Sequence, residues 1–456
     1  MSTLPRLDAL GPSGEFRSIR SELVSGVDGA ALAELSLVPG LYVARTIAKL
    51  RRARPLALAD RLDALGEAGA LFLGDVGGVP LPEHERRVAA SSGVALPVVG
   101  AASQAIAHSA SVVGESVGQA RPRGTSESWR EVSSAGATWV RRGEVLAVQA
   151  PANHPATHSV WLEALALGYR VAIRPSGREP FTAHRLVQSL RACGFGDDHV
   201  AYVPTDHAIA RRLVAAADLA VVYGGADVAA EFRDRADVLV QGPGRSKILI
   251  TADHRWSSVD VVAESVAGFG GTACVNASAV LVEGDAEEFA EELARRLAGI
   301  AAASPLSKAA VLPAFSSERA GSVAAYLRSK IDGGRLIGRD ELLTSLPEGG
   351  VTLRPAVVLL DRAHAQQLGV ELPFPCVWVA PWSTSDGIEP LRASLTVTAL
   401  TDDEELLSEL ADDPTIGNLH IGHIPTHEMR PGLPHNGHLA EFLMRSKTVL
   451  RKPVSR

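Results

Sequence analysis

Short apolar runs rich in β-branched residues alternate with helical stretches over residues 143–250, and this alternation is the strongest constraint on the fold. The runs predict strands at residues 145–149, 170–174, 199–203, 219–223 and 238–240. Strands separated by helices of about 10–15 residues are joined by crossovers and form a parallel sheet. Ligands bind such sheets at the carboxyl ends of the strands, so the loops that follow these runs are candidate binding loops.

A second alternating region covers residues 251–440. Its predicted strands lie at residues 279–282, 309–312, 356–360, 377–380 and 395–400. Residues 1–118 are predicted to be mainly helical, because segments 21–38, 41–65 and 94–113 are rich in apolar residues, largely at helical spacing. A chain of 456 residues is too long for one hydrophobic core, so we expect an α/β protein of two or three domains.

Composition narrows the class of protein. The formal net charge is −7 and the basic residues are scattered, which argues against a nucleic-acid partner. No apolar run reaches the ~18 residues that a membrane span needs, and the N-terminus lacks a signal-peptide core. Three widely spaced cysteines, Cys193, Cys274 and Cys376, indicate neither a disulfide framework nor a metal site, so we expect a cytoplasmic protein with no membrane partner.

Cys274 is the candidate nucleophile. Segment 268–280 has the sequence Gly-Phe-Gly-Gly-Thr-Ala-Cys-Val-Asn-Ala-Ser-Ala-Val, in which small residues leave room for a substrate to approach the thiol. The reactive form is the thiolate, so such a site must deprotonate the cysteine. A buried structural cysteine is the alternative.

Several motifs, in their order along the chain, resemble those of the aldehyde dehydrogenase superfamily. Ala-Pro-Ala-Asn-His-Pro at 150–155 is similar to the family's Pro-Trp-Asn-Phe-Pro turn, and Ile-Arg-Pro-Ser-Gly at 173–177 stands where the family has Lys-Pro-Ser-Glu. Tyr-Gly-Gly-Ala-Asp-Val at 223–228 is similar to Gly-Ser-Thr-Glu-Val. Cys274 stands at the nucleophile's place, and Glu-Leu-Pro-Phe at 371–374 resembles Glu-x-Phe-Gly-Pro.

The resemblance implies a fold with three parts. A Rossmann-like cofactor domain would comprise residues 1–125 and 143–250, and a second α/β catalytic domain residues 251–440. Residues 126–142 and 441–456 would form a small β bridging element that builds a homodimer or homotetramer. The resemblance also implies that Cys274 attacks a carbonyl carbon, while the Asn153 side chain and the backbone N–H of Cys274 stabilise the oxyanion. An ordinary turn asparagine is the alternative for Asn153.

One departure from the family pattern bears on the reaction. Aldehyde-oxidising members have Glu-Leu-Gly-Gly-Lys, whose glutamate activates the hydrolytic water, whereas this chain has Gln241 at that position. Glutamine cannot accept a proton as a carboxylate does. We therefore expect NAD(P)H-dependent reduction of an activated acyl group to an aldehyde, as in the similar acyl reductases of bacterial luminescence.

Two other functions stay open at this stage. One is NAD(P)-dependent oxidation of an aldehyde with a relocated base, for which a histidine is a candidate, and the other is a weakly active or inactive partner subunit. The expected partners are a small acyl or aldehyde substrate and an acyl-activating ligase or carrier.

The cofactor loops are predicted from the same resemblance. NAD-using members hold the adenine ribose with the glutamate after Lys-Pro-Ser, and this chain has Gly177 there, between Arg174 and Arg178. Because a guanidinium suits a 2′-phosphate, we expect NADPH or NADP in preference to NAD. The predicted cofactor-binding residues are Arg174, Pro175, Ser176, Arg178, Gly224 and Gly225. A solvated surface arginine and an ordinary glycine turn are the alternatives.

Histidines are concentrated in segment 420–438. Imidazole binds zinc, but this segment contains Gly and Pro and does not form one helix face, so we predict no metal site. A proton donor or substitute base in this segment is a second interpretation. His154 and His158 are similar candidates, or plain turn and helix residues.

Overall fold

The computed structural model describes residues 4–338, 341–430 and 432–452. The strands are β1 (Arg6–Leu7), β2 (Ala9–Gly11), β3 (Gly14–Phe16), β4 (Ser21–Ser25), β5 (Ala31–Ser36), β6 (Asp75–Val76), β7 (Val79–Pro80), β8 (Thr125–Ser126), β9 (Ala135–Arg141), β10 (Val145–Gln149), β11 (Arg170–Arg174), β12 (Val200–Tyr202), β13 (Leu219–Tyr223), β14 (Val238–Gln241), β15 (Ser246–Ile250), β16 (Ala277–Glu283), β17 (Ala314–Phe315), β18 (Arg335–Ile337), β19 (Leu343–Ser345), β20 (Val351–Leu353), β21 (Ala356–Leu359), β22 (Cys376–Trp382), β23 (Ser394–Leu400), β24 (Ile416–Ile421) and β25 (Met444–Leu450). The α-helices are α1 (Gly40–Arg52), α2 (Leu58–Phe72), α3 (Leu81–Ser92), α4 (Leu96–Ala120), α5 (Leu162–Ala166), α6 (Phe181–Ala192), α7 (His207–Ala216), α8 (Ala226–Glu231), α9 (Val259–Ala267), α10 (Ala286–Ala298), α11 (Ser317–Lys330), α12 (Glu404–Asp412) and α13 (Leu439–Leu443).

The first alternating region forms a seven-stranded sheet in the order β14-β13-β10-β11-β12-β2-β3. Strands β10 to β14 run parallel, and β2 and β3 add an antiparallel edge. Leu146 and Val148 of β10 join one apolar cluster, while Val145 and Ala147 join another on the opposite face. Because helices cover both faces, these strands are continuously apolar, as the sequence predicts.

The second region forms another seven-stranded sheet in the order β18-β21-β22-β16-β15-β23-β24. All its pairs are parallel except β18 with β21. The strand predicted at 309–312 is wrong, because the chain there forms turns, including a backbone bond from Ala310 N to Ser307 O of 3.1 Å. The mixed α/β class is confirmed by the two sheets.

The N-terminal region is only partly helical. The helical prediction for 21–38 is wrong, since β4 and β5 pair antiparallel there in a three-stranded sheet with β1. Helices α1, α2 and α4 confirm much of the prediction for 41–65 and 94–113. By length and composition α4 is apolar enough to cross a membrane, and in this structure it packs against α2 and α3.

The C-terminal strand β25 pairs antiparallel with β9, from Met444 opposite Arg141 to Leu450 opposite Ala135. Tyr169, which is 1% exposed, connects this strand pair to the first sheet. Its hydroxyl accepts from Arg142 N at 3.0 Å and Gly143 N at 3.1 Å, and donates to the Leu443 carbonyl. One hydroxyl therefore satisfies three buried or half-buried backbone groups.

We expect Tyr169→Phe to lower the free energy of unfolding by about 1–3 kcal/mol, because buried polar groups lose their partner while the ring remains. Chemical denaturation followed by circular dichroism measures the change. Tyr326→Phe is the matched control, since that side chain is 47% exposed and should change stability by less than about 0.5 kcal/mol. Equal midpoints for the two variants would contradict the assigned role of the hydroxyl.

Candidate active site

Loops from four strands of the first sheet meet at one edge. Asn153 follows β10, Pro175 follows β11, Gly224 follows β13, and Gln241 ends β14. Because these strands are parallel, their carboxyl ends lie side by side. From Gln241 the chain crosses to β15 of the second sheet.

The loop that carries Cys274 is held by its own side chains and backbone. Asn276 Nδ2 donates to Ser265 O at 3.0 Å and to Gly268 O at 2.6 Å, and its Oδ1 accepts from Ala273 N at 3.0 Å. Phe269 lies in the left-handed region with φ of 51°, a strained conformation for a side-chain-bearing residue. These bonds fix the backbone on both sides of the thiol.

Asn153 is brought to this loop, since its Nδ2 donates to the carbonyl of Thr272 at 2.9 Å. The amide nitrogen carries a second hydrogen, for which the described part of the chain shows no acceptor. The Asn153 amide is therefore bound to the residue two positions before Cys274, and its second N–H can donate to an oxyanion.

The segment between the two sheets packs directly on the nucleophile residue. A Cβ at Gly244 would stand 1.9 Å from the Cys274 carbonyl oxygen and 2.8 Å from the Cys274 Cβ, so only glycine fits there. Ser246 Oγ donates to the same carbonyl oxygen at 3.1 Å. The position of Cys274 thus depends on residues 242–246.

Glu371 completes the site. Its carboxylate accepts from Gly244 N at 3.1 Å and Arg245 N at 2.8 Å, on the segment that packs on Cys274. Burial raises the pKa of Glu371 above its ordinary value. In the sequence, Glu371 is recognisable only as part of a motif and has no predicted role, because its contact joins segments far apart in the chain.

The thiol is protonated at neutral pH in this arrangement. Burial raises the pKa of Cys274 to about 11, and the Glu371 carboxylate adds to the increase. The backbone N–H groups of Cys274 and Val275 oppose it. Burial and, to a lesser extent, the charge of Cys274 raise the pKa of Tyr223, whose hydroxyl donates to Thr157 O at 3.3 Å. No pattern in the sequence points to Tyr223.

The predicted cofactor residues differ in their surroundings. Arg174 is 8% exposed, its Nε donates to Thr205 O at 3.3 Å, and burial lowers its pKa against the opposing charges of Glu22 and Asp206. Arg178 is exposed as a residue and its backbone N–H donates to Ser176 Oγ at 3.3 Å, but partial burial of the guanidinium and the charge of Arg319 lower its pKa to about 10.

At this edge of the first sheet, part of the backbone can be approached by a ligand. No atom lies within 4 Å of a Cβ built on Gly225, whereas a Cβ on Gly224 would stand 2.4 Å from Val228. Pro175, at the end of β11, is buried. An open glycine and the Arg178 guanidinium at this sheet edge fit a dinucleotide phosphate group.

The histidines separate into two groups. His420 lies against the carbonyl of Pro425 and His423 against Ser257 Oγ. His427 instead packs on Phe269, with ring centroids 4.9 Å apart. His154 packs on the same phenylalanine at the same distance.

Comparison with known proteins gives consistent results. A sequence model described as "Aldehyde dehydrogenase family" matches residues 101–442. Malonate-semialdehyde dehydrogenase 2 of Bacillus mycoides (strain KBAB4) is 28% identical over 164 residues, which cover 34% of this chain and 33% of that protein.

Solved structures match over nearly the whole chain. The NAD-dependent aldehyde dehydrogenase of Sinorhizobium meliloti superposes with a TM-score of 0.84 at 18% identity, covering 100% of this chain and 96% of its own. The P. syringae indole-3-acetaldehyde dehydrogenase, in complex with NAD+ and IAA, gives a TM-score of 0.83 at 18% identity, with 98% and 96% covered. An E. coli NADP dependent enzyme gives 0.82 at 16% identity, with 97% and 98% covered. At these identities the likeness concerns the fold.

We expect iodoacetamide to alkylate Cys274 about tenfold faster per pH unit between roughly pH 7 and 10, because only the thiolate reacts. Glu371→Gln removes the neighbouring negative charge, which lowers the thiol pKa and speeds alkylation at each pH in that range. Mass spectrometry of tryptic peptides follows the three cysteines separately. The buried Cys376 is the internal control, since burial also raises its pKa. A plateau below pH 8 would show that the thiol is activated in the free protein.

Proposed function

The chain belongs to the aldehyde dehydrogenase family, and from this premise we propose that it oxidises an aldehyde to a carboxylic acid with a nicotinamide dinucleotide. The observation that carries the proposal is the placement of Glu371, whose carboxylate binds the segment packed on Cys274. The sequence alone favours acyl reduction, because Gln241 replaces the family's base. Glu371 supplies a carboxylate from another segment, and the relatives found are named as dehydrogenases.

In the first half of the proposed reaction, the Cys274 thiol gives its proton to solvent water and the sulfur bonds to the aldehyde carbon. The carbonyl π-electrons move to oxygen, and the resulting oxyanion is stabilised by the Asn153 amide and the Cys274 backbone N–H. The bound dinucleotide supplies the acceptor for the hydride that leaves the former aldehyde carbon. The C=O bond re-forms, which leaves a thioester on Cys274.

In the second half, water attacks the thioester carbon and the C–S bond breaks, which releases the acid and the cysteine sulfur. A base must take a proton from that water. Glu371 is suited to this step, because a carboxylate with a raised pKa is a stronger base than an exposed one. Glu371 is one of the residues that line a cavity of about 20 Å³, together with Ala273 and Asn276 of the nucleophile loop, and this cavity has room for about one water.

We expect Glu371→Gln to slow the second half-reaction by about 10²–10⁴-fold, the usual contribution of a general base. Mixing this variant with an aldehyde and the oxidised dinucleotide should give a burst of reduced cofactor, followed by a slow phase, with an acyl adduct on Cys274 seen by mass spectrometry. The same variant is expected to alkylate faster, and that result would show that a fall in turnover is not a loss of thiol reactivity.

Gln241→Glu in the Glu371→Gln background is the matched rescue, since it returns a carboxylate to the family's position. Restored turnover would support hydrolysis as the step that fails. Full steady-state activity of Glu371→Gln would contradict the role of Glu371, and no activity of the wild type with any aldehyde would contradict the function.

Acyl reduction is the second candidate, and Gln241 is the observation that favours it. The wild type would then oxidise reduced cofactor when given an acyl thioester, with expulsion of the free thiol. Absence of that reaction, together with turnover of aldehydes to acids, separates the two directions. If neither reaction occurs, the partner-subunit interpretation gains support.

For the cofactor we propose NAD, contrary to the expectation from sequence. All three atoms of the Glu22 carboxyl group lie 3.7–4.0 Å from a Cβ built on Gly177. A carboxylate from β4 therefore occupies the region where related chains place the glutamate that holds the ribose, and its charge opposes a 2′-phosphate there. Arg178 remains the feature that favours NADP.

Glu22→Gln should tighten NADP binding relative to NAD by about fivefold or more, since about 1 kcal/mol of charge repulsion is removed. Arg178→Ala should change the ratio in the opposite direction. Quenching of protein fluorescence by each dinucleotide gives the dissociation constants without turnover. Glu15→Gln, an exposed carboxylate on the neighbouring β3, is the charge-matched control. An unchanged ratio in Glu22→Gln would remove the argument for NAD.

A further inference from the structure

Three aromatic rings lie in sequence beside the loop that carries Cys274. The ring centroid of Phe269 is 4.9 Å from that of His154 on one side and 4.9 Å from that of His427 on the other. Both contacts are edge-on, with interplanar angles of 60° and 62°. The left-handed backbone of Phe269 directs its side chain into this position. We call these three residues the imidazole stack.

Covalent bonds and hydrogen bonds connect the imidazole stack to Asn153 and to the loop that carries Cys274. His154 follows Asn153, whose amide is bound to Thr272 O at 2.9 Å. Thr272 Oγ1 donates to Phe269 O at 2.9 Å. His427 lies against the same loop, because a Cβ on Gly268 would stand 2.6 Å from its Cε1. These contacts place both rings against residues 268–272, the part of the loop that directly precedes Cys274.

Two polar atoms of the imidazole stack lack partners. Among the described residues, His154 Nε2 and His427 Nδ1 are buried and make no hydrogen bond, and His154 as a whole is 7% exposed. His154 Nδ1 accepts from Ala156 N at 3.3 Å, so the ring proton is on Nε2, which is a donor without an acceptor. A buried donor left unpaired costs about 1–3 kcal/mol, which a ligand oxygen would recover.

The charge state of the two imidazole rings determines whether this site favours a neutral or an anionic ligand. Burial lowers the pKa of His154 to about 4, and His427 adds to the decrease, so the ring is neutral at pH 7. Burial also lowers the pKa of His427. Glu264 Oε1 lies 3.8 Å from His427 Nε2 and places a negative charge at that end. Neutral rings beside a carboxylate suit a neutral oxygen better than an anion.

We propose that His154 and His427 form a polar subsite for the substrate chain, so that the preferred aldehyde carries a neutral hydroxyl or carbonyl oxygen near its reacting carbon. The proposal rests on the proposed function for the identity of the reacting group. The subsite itself is a property of the two rings, and binding tests it independently of turnover.

The kinetic test compares glycolaldehyde with propanal, which have the same number of heavy atoms and differ in a hydroxyl for a methyl. The wild type should prefer glycolaldehyde in kcat/KM by about tenfold. His154→Phe and His427→Phe keep an aromatic ring against Phe269 and remove the polar atoms. Each should bring the ratio of kcat/KM values towards one, because kcat/KM falls for glycolaldehyde and not for propanal. His423→Phe, an exposed histidine of the same segment, is the control and should change nothing.

The binding test uses Cys274→Ala, which cannot react, with glycolamide and propanamide as unreactive amides, titrated by calorimetry. Glycolamide should bind about tenfold more tightly, and His154→Phe in this background should remove the difference. Binding selectivity without oxidation of any aldehyde would retain the subsite and reject the proposed function.

Two outcomes would overturn the subsite. One is equal kcat/KM for the two aldehydes in the wild type and both variants, with aldehyde oxidation intact. The other is a preference for succinic semialdehyde over both neutral aldehydes, which would mean that the rings bind an anion. Thermal midpoints check that the variants fold, and His154→Gln, which keeps an N–H donor, should retain part of the preference if His154→Phe proves unstable.

Discussion

The contact between Gly244 and Cys274 determines how the rest of the site is arranged. A Cβ at Gly244 would overlap the Cys274 carbonyl oxygen at 1.9 Å, so the segment that joins the two sheets and the loop of the nucleophile are in van der Waals contact through backbone. Glu371 binds the N–H groups of Gly244 and Arg245 from the other side. The thiol, the carboxylate and the end of the first sheet are therefore one packed unit, and none can move without the others.

That unit has an electrostatic consequence for catalysis. A carboxylate beside a buried thiol disfavours the thiolate, so Glu371 opposes the nucleophile that it would later assist by activating water. The two requirements are compatible if they apply at different stages. A thiol that stays protonated in the free protein is protected from oxidation and alkylation, and once the sulfur is acylated its charge no longer matters to the carboxylate.

The sequence predicts well those features that depend on local pattern. Strands β10, β11 and β13 are continuously apolar because both faces of their sheet are covered, and their position in the chain follows from this pattern alone. The helix predicted for segment 21–38 is wrong, because the local pattern there is ambiguous. In β5 Ala33 and Leu35 are buried at alternate positions, but β4 buries only Val24, and the exposed residues around it obscure the period of a strand.

The site could be predicted only as far as each residue acts within its own loop. Cys274 and Asn153 are recognisable from their motifs, whereas the contacts that bring Glu371, Glu22 and His427 to the site join segments far apart in the chain. Gln241 shows the limit most clearly. Taken alone, the Gln241 amide indicates that the general base is missing. Only the folded chain shows that the Glu371 carboxylate accepts two hydrogen bonds from the segment that follows Gln241.

Among the described residues, one strained residue and two unpartnered nitrogen atoms lie where substrate would bind, while similar groups also occur elsewhere in the molecule. Phe269 has a left-handed backbone, and the imidazoles on both sides of it have buried nitrogen atoms without partners in the described residues. A protein stabilised only for its own sake would fill these positions with apolar side chains, which pack without unpaired polar atoms. Their retention beside Asn153 and Cys274 places the destabilisation at the point where a bound oxygen would relieve it, which is the expected location if these groups are kept for recognition rather than for folding.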